Sequence, residues 1–216
     1  MYRVFFTRQE LKMIQEEKKE ARRILKEKIK MLSCETKKQF SDTAAGFFLS
    51  SDEYKNADII LSFKAMEDEP STEKITVCAV KDKKQIFLPV IETDSYEMDF
   101  YRIDESSDFI KNSFGTLEPH KTQAGRFIAE NNIGKKIAIL VPGRGFSLKG
   151  ERLGRGKGYY DRYISILEEK ASKLNLKIFK AGFCFYTQTQ SPFPSEEHDV
   201  KMDAVITESG IIFSKS

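Results

Sequence analysis

An apolar run, Ile137-Ala138-Ile139-Leu140-Val141, leads into PGRGFSLKGERLGRGKG and then into Tyr159–Leu174. In that last stretch Tyr160, Tyr163, Ile164, Leu167, Ala171 and Leu174 recur at helical spacing. The apolar run has the length of one buried strand. A strand therefore passes through a glycine-rich, cation-rich loop into a helix. Glycines let a backbone approach a ligand, and loop N–H groups together with a helix N-terminus favour an anion. This order of elements confines the chain to α/β architectures.

The rest of the sequence agrees. Arg8–Leu32 reads as one long helix, with Leu11, Ile14, Ala21, Leu25, Ile29 and Leu32 on one stripe and Lys18 falling inside it. Ser33 opens a second helix running to about Leu49. Strands are expected at Ala57–Phe63, Gln85–Val90, Ile137–Val141, Lys177–Phe185 and Ala204–Thr207, with a short last one at Ile211–Phe213. Pro70-Ser71-Thr72 reads as a turn or cap. Glu73–Lys83 reads either way: its β-branched residues favour a strand, its position between strands a helix. Phe100–Phe114 reads as irregular or mixed, and Thr122–Glu130 as a short helix. Alternating strands and helices predict a three-layer α/β/α fold around a largely parallel sheet, covered on both faces. With no Gly/Ser or Pro linker, one domain over residues 1–216 is the simplest account.

Composition narrows the function. The chain has 216 residues, 40% apolar and 32% charged, in the range of a globular protein. It shows no bilayer-length apolar run and no signal peptide. Cys34, Cys78 and Cys184 form no metal or redox motif, which fits a reducing, cytoplasmic home. A net charge of +3 argues against a general nucleic-acid binder. The basic stretch Lys18–Lys30 is interleaved with Glu20 and Glu27 and preceded by Glu16 and Glu17, the pattern of a solvated, ion-paired helix face. His120 and His198, far apart and without cysteine partners, do not make a zinc site.

The loop carries the chemistry. Gly150, Gly154, Gly156 and Gly158 are interleaved with Arg152, Arg155 and Lys157. It lacks GK[ST] and the third glycine of the dinucleotide fingerprint, so it is neither of those motifs. Glycines that clear room beside cations that neutralise charge still suit a triphosphate. Asp161, one turn into the helix, is placed to hold Mg²⁺ through oxygen ligation or water. The bland alternative is an ordinary turn with solvated cations; the concurrence of glycines, cations and strand–loop–helix context favours a ligand. Of Tyr159 and Tyr160, one is expected in the core and the other against a flat ring.

The segment VPGRGFSLKGERLGRGKGYYDRY resembles the signature of the 5-formyltetrahydrofolate cyclo-ligase family. The resemblance extends through Lys18 and Arg22 (K-x-x-x-R), Leu61-Ser62, Glu69–Thr72 (E-x-x-T), Leu88-Pro89, Phe114-Gly115, Glu118-Pro119, Phe185 and Gln188 (F-x-x-Q), Pro194, His198-Asp199 and Asp203. Three departures stand out: Ser147 where the family has Asp, Ile137 where an acidic residue often opens the strand, and a few extra residues between Ser62 and Glu69.

The resemblance implies an ATP- and Mg²⁺-dependent closure of 5-formyltetrahydrofolate to 5,10-methenyltetrahydrofolate, with ADP and phosphate released and a phosphorylated formyl (imidate) intermediate. Phosphoryl transfer asks for positioning and charge neutralisation more than for protein nucleophiles, and this chain offers cations, glycines and carboxylates. By resemblance, Lys18, Arg22 and the loop residues Arg152, Leu153, Gly154, Arg155, Gly156, Lys157, Gly158, Tyr159 and Tyr160 bind ATP. Glu69 binds folate together with Arg155, Gly156, Lys157, Gly158 and Tyr159. Asp161 and Asp199 bind Mg²⁺, and Lys157 and Arg155 are the catalytic cations. His198 is expected in a positional or hydrogen-bonding role. The expected partners are folate and ATP, with no nucleic acid or membrane, for a monomer or weak dimer. A non-catalytic sensor of a phosphorylated ligand is the competing class; it need not keep Lys18, Lys157 and Asp161 together. An RNA binder using the basic first helix would lack an aromatic platform.

Overall fold

The computed structural model describes residues 7–92, 95, 97–112, 115–121, 125–196 and 199–214. His198, Phe114, Thr122–Ala124 and the side chain of Leu11 lie outside them.

The N-terminal half supplies α1 (Arg8–Lys30), α2 (Cys34–Ser50), α3 (Asp52–Asn56), β1 (Ile59–Leu61), α4 (Glu73–Lys81), β2 (Gln85–Glu92), β3 (Glu97–Ile103), β4 (Phe109–Lys111) and β5 (Leu117–Pro119). After a 3₁₀ turn at Ala129–Asn132 come β6 (Lys136–Val141), β7 (Gly145–Phe146), β8 (Arg152–Leu153), α5 (Tyr159–Leu174), β9 (Lys177–Phe183), a 3₁₀ turn at Tyr186–Thr189, β10 (Ala204–Thr207) and β11 (Gly210–Phe213). Seven strands form the main sheet in the order β11-β10-β9-β6-β1-β2-β3. The inner pairs are parallel, and the edge strands β3 and β11 run antiparallel to their neighbours. The expected α/β architecture with a largely parallel sheet is the one found.

β6 shows why. Alternate side chains of a strand leave opposite faces of the sheet. Ile137, Ile139 and Val141 join Ile164, Leu167 and Ala171 of α5 in one core cluster, while Ala138 and Leu140 join Phe48 of α2 and Ile75 and Ala79 of α4 in the other. From Ile137 to Val141, where β6 is buried on both faces, it is therefore apolar at every position, as the sequence showed. Helix α1 starts at a capping box in which Thr7 and Glu10 satisfy each other's backbone N–H groups. Its Leu25 and Ile29 are fully buried, each contributing about 1.5–3 kcal/mol. Ala21 and Leu25 pack on Leu153 of β8, with Phe193 alongside, so α1 is docked directly on the glycine-loop region.

Three expectations needed correction or completion. Glu73–Lys81 is a helix: Ile75 and Ala79, four apart, bury one face while Val77 stays exposed. The segment read as irregular or mixed from Phe100 contains the second half of β3, whose Met98 and Phe100 face the core, and β4. No α-helix occupies residues 125–130. There the backbone runs along the sheet edge, with Gly125 O accepting from Arg102 N at 2.8 Å and Phe127 N donating to Phe100 O at 2.7 Å.

Candidate active site at the glycine loop

The site gathers where β1 and β6 end, the place that open α/β sheets use for ligands. Beyond Val141 the chain makes the small β7–β8 hairpin, and the glycine loop connects β8 to α5. Gln188 fixes the hairpin's start: it is buried, and its Nε2 donates to Gly143 O at 2.8 Å and Arg144 O at 3.1 Å. Ser147 keeps the hairpin turn ordered although an Asp is usual in the family pattern, since its Oγ accepts from Lys149 N and Glu151 N, both at 3.2 Å. Gly156 (φ 101°) and Gly158 (φ 68°) hold backbone conformations that side chains disfavour. Gly158 is the N-cap of α5 and offers no side-chain cap, so the first N–H groups of the helix are left for other acceptors.

Two cavities meet at this loop. The larger, about 650 Å³, is lined by Lys18 and Arg22 of α1, by Gly154, Gly156 and Gly158, and by Asp161, Glu196 and Asp199. The smaller, about 120 Å³, is lined by Phe63, Glu69, Pro89, Lys157, Tyr159 and Tyr160 among others. Arg152 and Gly158 belong to both.

In the larger cavity Lys18 is buried, and its Nζ donates to Glu196 Oε2 at 2.6 Å and Asp199 Oδ2 at 2.7 Å. Burial works to lower its pKa, but the two carboxylates outweigh it and hold the ammonium above the ordinary lysine value. Its place on the apolar stripe of α1 is thus explained by partners far along the chain. Arg22 donates to Gly154 O at 2.8 Å. It makes no ion pair within 4 Å among the described residues; burial, joined by nearby Arg152, outweighs the attraction of Asp199 and pushes its pKa down. A half-buried cation whose neighbouring carboxylate, Asp199, is already held by Lys18 is a place for an anion. Arg152 is buried between the cavities: Nη2 donates to Asp161 Oδ2 at 2.8 Å and Nη1 to Pro142 O at 3.0 Å. Its buried Nε has no partner among the described residues.

In the smaller cavity Glu69 is buried. Its Oε2 accepts from Met66 N at 2.9 Å, and its Oε1 from Arg155 Nε at 3.0 Å and Nη2 at 2.7 Å. Arg155 also donates to Asp68, whose other oxygen is taken by Arg144. Tyr160 lies in the cavity wall with its ring edge-on to Phe100 and Arg152 above it at 5.8 Å. Its hydroxyl is buried without a partner among the described residues, and burial raises its pKa well beyond an ordinary tyrosine.

The residues singled out from sequence therefore divide. Lys18, Arg22, Gly154, Asp161 and Asp199 share one cavity; Glu69, Arg155, Lys157, Tyr159 and Tyr160 share the other. The Leu153 side chain is buried against Ala21 and Leu25. Sequence reasoning had not singled out Asp68, Arg144 or Glu196. Only Arg144, beside the PG turn of the glycine-loop motif, carried any local signal. Asp161, Asp199 and Glu196 supply hard oxygen donors to one cavity, the donor chemistry that Mg²⁺ takes when phosphate and water complete its shell. Among the described residues no three His, Cys, Asp or Glu form a self-sufficient metal cluster. The donor set fits a metal that arrives with a phosphorylated ligand.

Fold and loop define an α/β protein with two adjoining cavities that share Arg152 and Gly158 beside a glycine loop. The family model for 5-formyltetrahydrofolate cyclo-ligases matches residues 14–208, and the chain belongs to that family. It is 31% identical to the 5-formyltetrahydrofolate cyclo-ligase of Mus musculus over 85% of this chain and 90% of the relative. Its structure resembles the 5,10-methenyltetrahydrofolate synthetase of Aquifex aeolicus with a TM-score of 0.73, at 26% identity, over 92% and 93% of the two chains. The synthetase of Mycoplasma pneumoniae shares the fold, with a TM-score of 0.63 at 22% identity over 88% and 98%. No helix among the described residues is long and apolar enough to cross a membrane.

Proposed function

We propose that residues 1–216 act as one cyclo-ligase domain that converts 5-formyltetrahydrofolate and ATP into 5,10-methenyltetrahydrofolate, ADP and phosphate. The observation that carries this reading is the pair of cavities sharing Arg152 and Gly158. Two substrates whose reacting atoms must touch need separate seats with a common wall.

The triphosphate takes the larger cavity, where Lys18, Arg22, Arg152 and the glycine backbone face its oxygens. The pterin edge takes the smaller one, where Glu69 can accept paired N–H donors and Tyr159 and Tyr160 offer aromatic surface. The formyl oxygen attacks the γ-phosphorus, and the bond to ADP breaks. The neighbouring folate nitrogen then attacks the formyl carbon, loses its proton, and phosphate departs with the former formyl oxygen. Arg155 and Lys157 follow the moving charge: the arginine as a planar fork, the lysine as a point charge between two glycines. Asp161 and Asp199 would hold Mg²⁺, which would neutralise phosphate oxygens. Cys34, Cys78 and Cys184 are free thiols, which supports a reducing, cytoplasmic setting. A monomer or weak dimer suffices, since both cavities are lined by one chain.

The test is to mix protein, 5-formyltetrahydrofolate, Mg²⁺ and ATP and follow methenyl-folate absorbance. Product formation that needs ATP and stops on chelation is the expected result. Absence of product, or full activity in excess chelator, would contradict the reading or its metal assignment respectively.

A further inference from the structure

The Glu69 carboxylate has one acceptor site to spare: Met66 N takes one of the two on Oε2, and the Arg155 guanidinium takes both on Oε1. A substrate that puts paired N–H donors on Glu69 needs two sites and must therefore displace Arg155 from at least one of its own. The cavity of about 120 Å³ says the same, because ligand pockets usually run from about 300 Å³ upward. What becomes of Arg155 at that moment depends on its other partner.

Asp68 is that partner. One of its oxygens accepts from Arg155 and the other from Arg144. Arg144 is anchored in the β6–β7 turn: its N donates to Leu153 O at 2.7 Å, and its O accepts from Gln188 Nε2 at 3.1 Å. Arg155, by contrast, stands between Gly154 and Gly156 on the loop, with little backbone restraint of its own. Burial works to raise the Asp68 carboxyl, but the two guanidiniums hold it below the ordinary aspartate value, so it stays charged.

We propose that Asp68 is a positioning residue: fixed by Arg144, it keeps Arg155 at the mouth of the folate cavity once the substrate has taken Glu69. Substrate binding then does two things at once. It opens the smaller cavity, and it leaves Arg155 with one carboxylate instead of two, so its remaining donors turn to the phosphoryl group. The inference rests on the folate and ATP assignments made above.

The test is a double-mutant cycle on turnover. Asp68→Asn should lower kcat about tenfold, the scale of a misplaced catalytic group, with folate KM changed by less than about twofold. In an Arg155→Met background, Asp68→Asn should cost almost nothing further, because the group it positions is gone. Arg144→Gln, approaching from the anchor side, should reproduce the kcat loss at smaller size; it also keeps the test open if Asp68→Asn folds poorly. A purely structural Asp68 predicts equal losses in both backgrounds, or a lowered Tm with unaltered kcat, and either result overturns the proposal. Wild-type protein that makes no methenyl product overturns the functional reading, and this inference with it. Active wild-type protein with an additive cycle overturns this inference alone.

Discussion

The two cavities beside the glycine loop are built by opposite means. The larger is bounded largely by elements fixed elsewhere: α1 is docked through Leu25 and Ile29, and the glycine backbone is locked in positive-φ turns. It is already ligand-sized, at about 650 Å³. The smaller is closed by side chains, Arg155 on Glu69 and Asp68. The first resembles a preformed clamp; in the inference drawn above, the second is a latch that a ligand with paired donors displaces. Backbone geometry can hold a phosphate site open without a ligand. In the inference drawn above, the ion pairs of Arg155 with Glu69 and Asp68 instead make the second cavity respond to what enters it.

The comparison breaks most visibly at Lys157, which lines the smaller cavity next to the shared Gly158. Lys157→Met keeps length and removes charge. Turnover should fall by roughly two to four decades, the loss of a transition-state charge contact, with Tm nearly unchanged because the residue is exposed. Near wild-type turnover would return Lys157 to a surface role.

Asp161→Asn should come next, costing about one to two decades of activity, far more than the surface control Asp52→Asn. Because Asp161 pairs with buried Arg152, Tm should drop as well, by the equivalent of about 1–3 kcal/mol. Activity equal to that of the control would remove Asp161 from the site.

Gly156→Val tests whether the clamp is set by backbone. A Cβ there would meet nothing closer than Arg22 Cζ at 3.8 Å, so the damage is strain at φ 101° and blocked approach rather than a clash. That strain is roughly 1–2 kcal/mol, read as weaker ATP binding in a titration. Unchanged ATP affinity would mean the loop conformation is not part of the binding site.

Lys18 gives the smallest effect on catalysis and the most useful on stability. Its ion pairs tie α1 to the segment carrying Glu196 and Asp199, so Lys18→Ala should weaken ATP binding and also lower Tm. Its folded pKa lies above the unfolded value, so the stability it contributes is present below that unfolded value and is lost as pH rises through the folded one. Asp68 works in the opposite sense: its lowered pKa stabilises above the ordinary aspartate value, and that share disappears as pH falls through the folded one. Urea titrations at alkaline pH should show wild type converging on Lys18→Ala. A constant difference would place the pair's contribution elsewhere.

Much of this was legible in the sequence, for physical reasons. A fully buried strand such as β6 needs apolar residues on both faces, and a loop that takes positive φ needs glycine. Both requirements leave marks within a few residues. β3 left a weaker mark, because an edge strand buries only alternate residues and the charged Asp99 and Arg102 mask the alternation. Helix α4 was ambiguous because its β-branched Ile75, Thr76, Val77 and Val80 fit a strand until packing on α2 and β2 decides. At the site, glycines and cations of the loop were visible locally, whereas Lys18 and Glu69 were placed by family resemblance. The Asp68–Arg144 pair joins residues 76 apart and the Lys18–Asp199 pair residues 181 apart; no local pattern records such partnerships.

Binding by two variants tests the division of labour between the cavities most directly. Glu69→Gln and Arg22→Met should each be titrated calorimetrically with 5-formyltetrahydrofolate and, separately, with Mg²⁺–ATP. The account predicts crossed losses: Glu69→Gln weakens folate binding about tenfold or more and leaves ATP nearly unaffected, while Arg22→Met does the reverse. If both variants weakened the same ligand, or each weakened both ligands equally, the two cavities would not hold the two substrates.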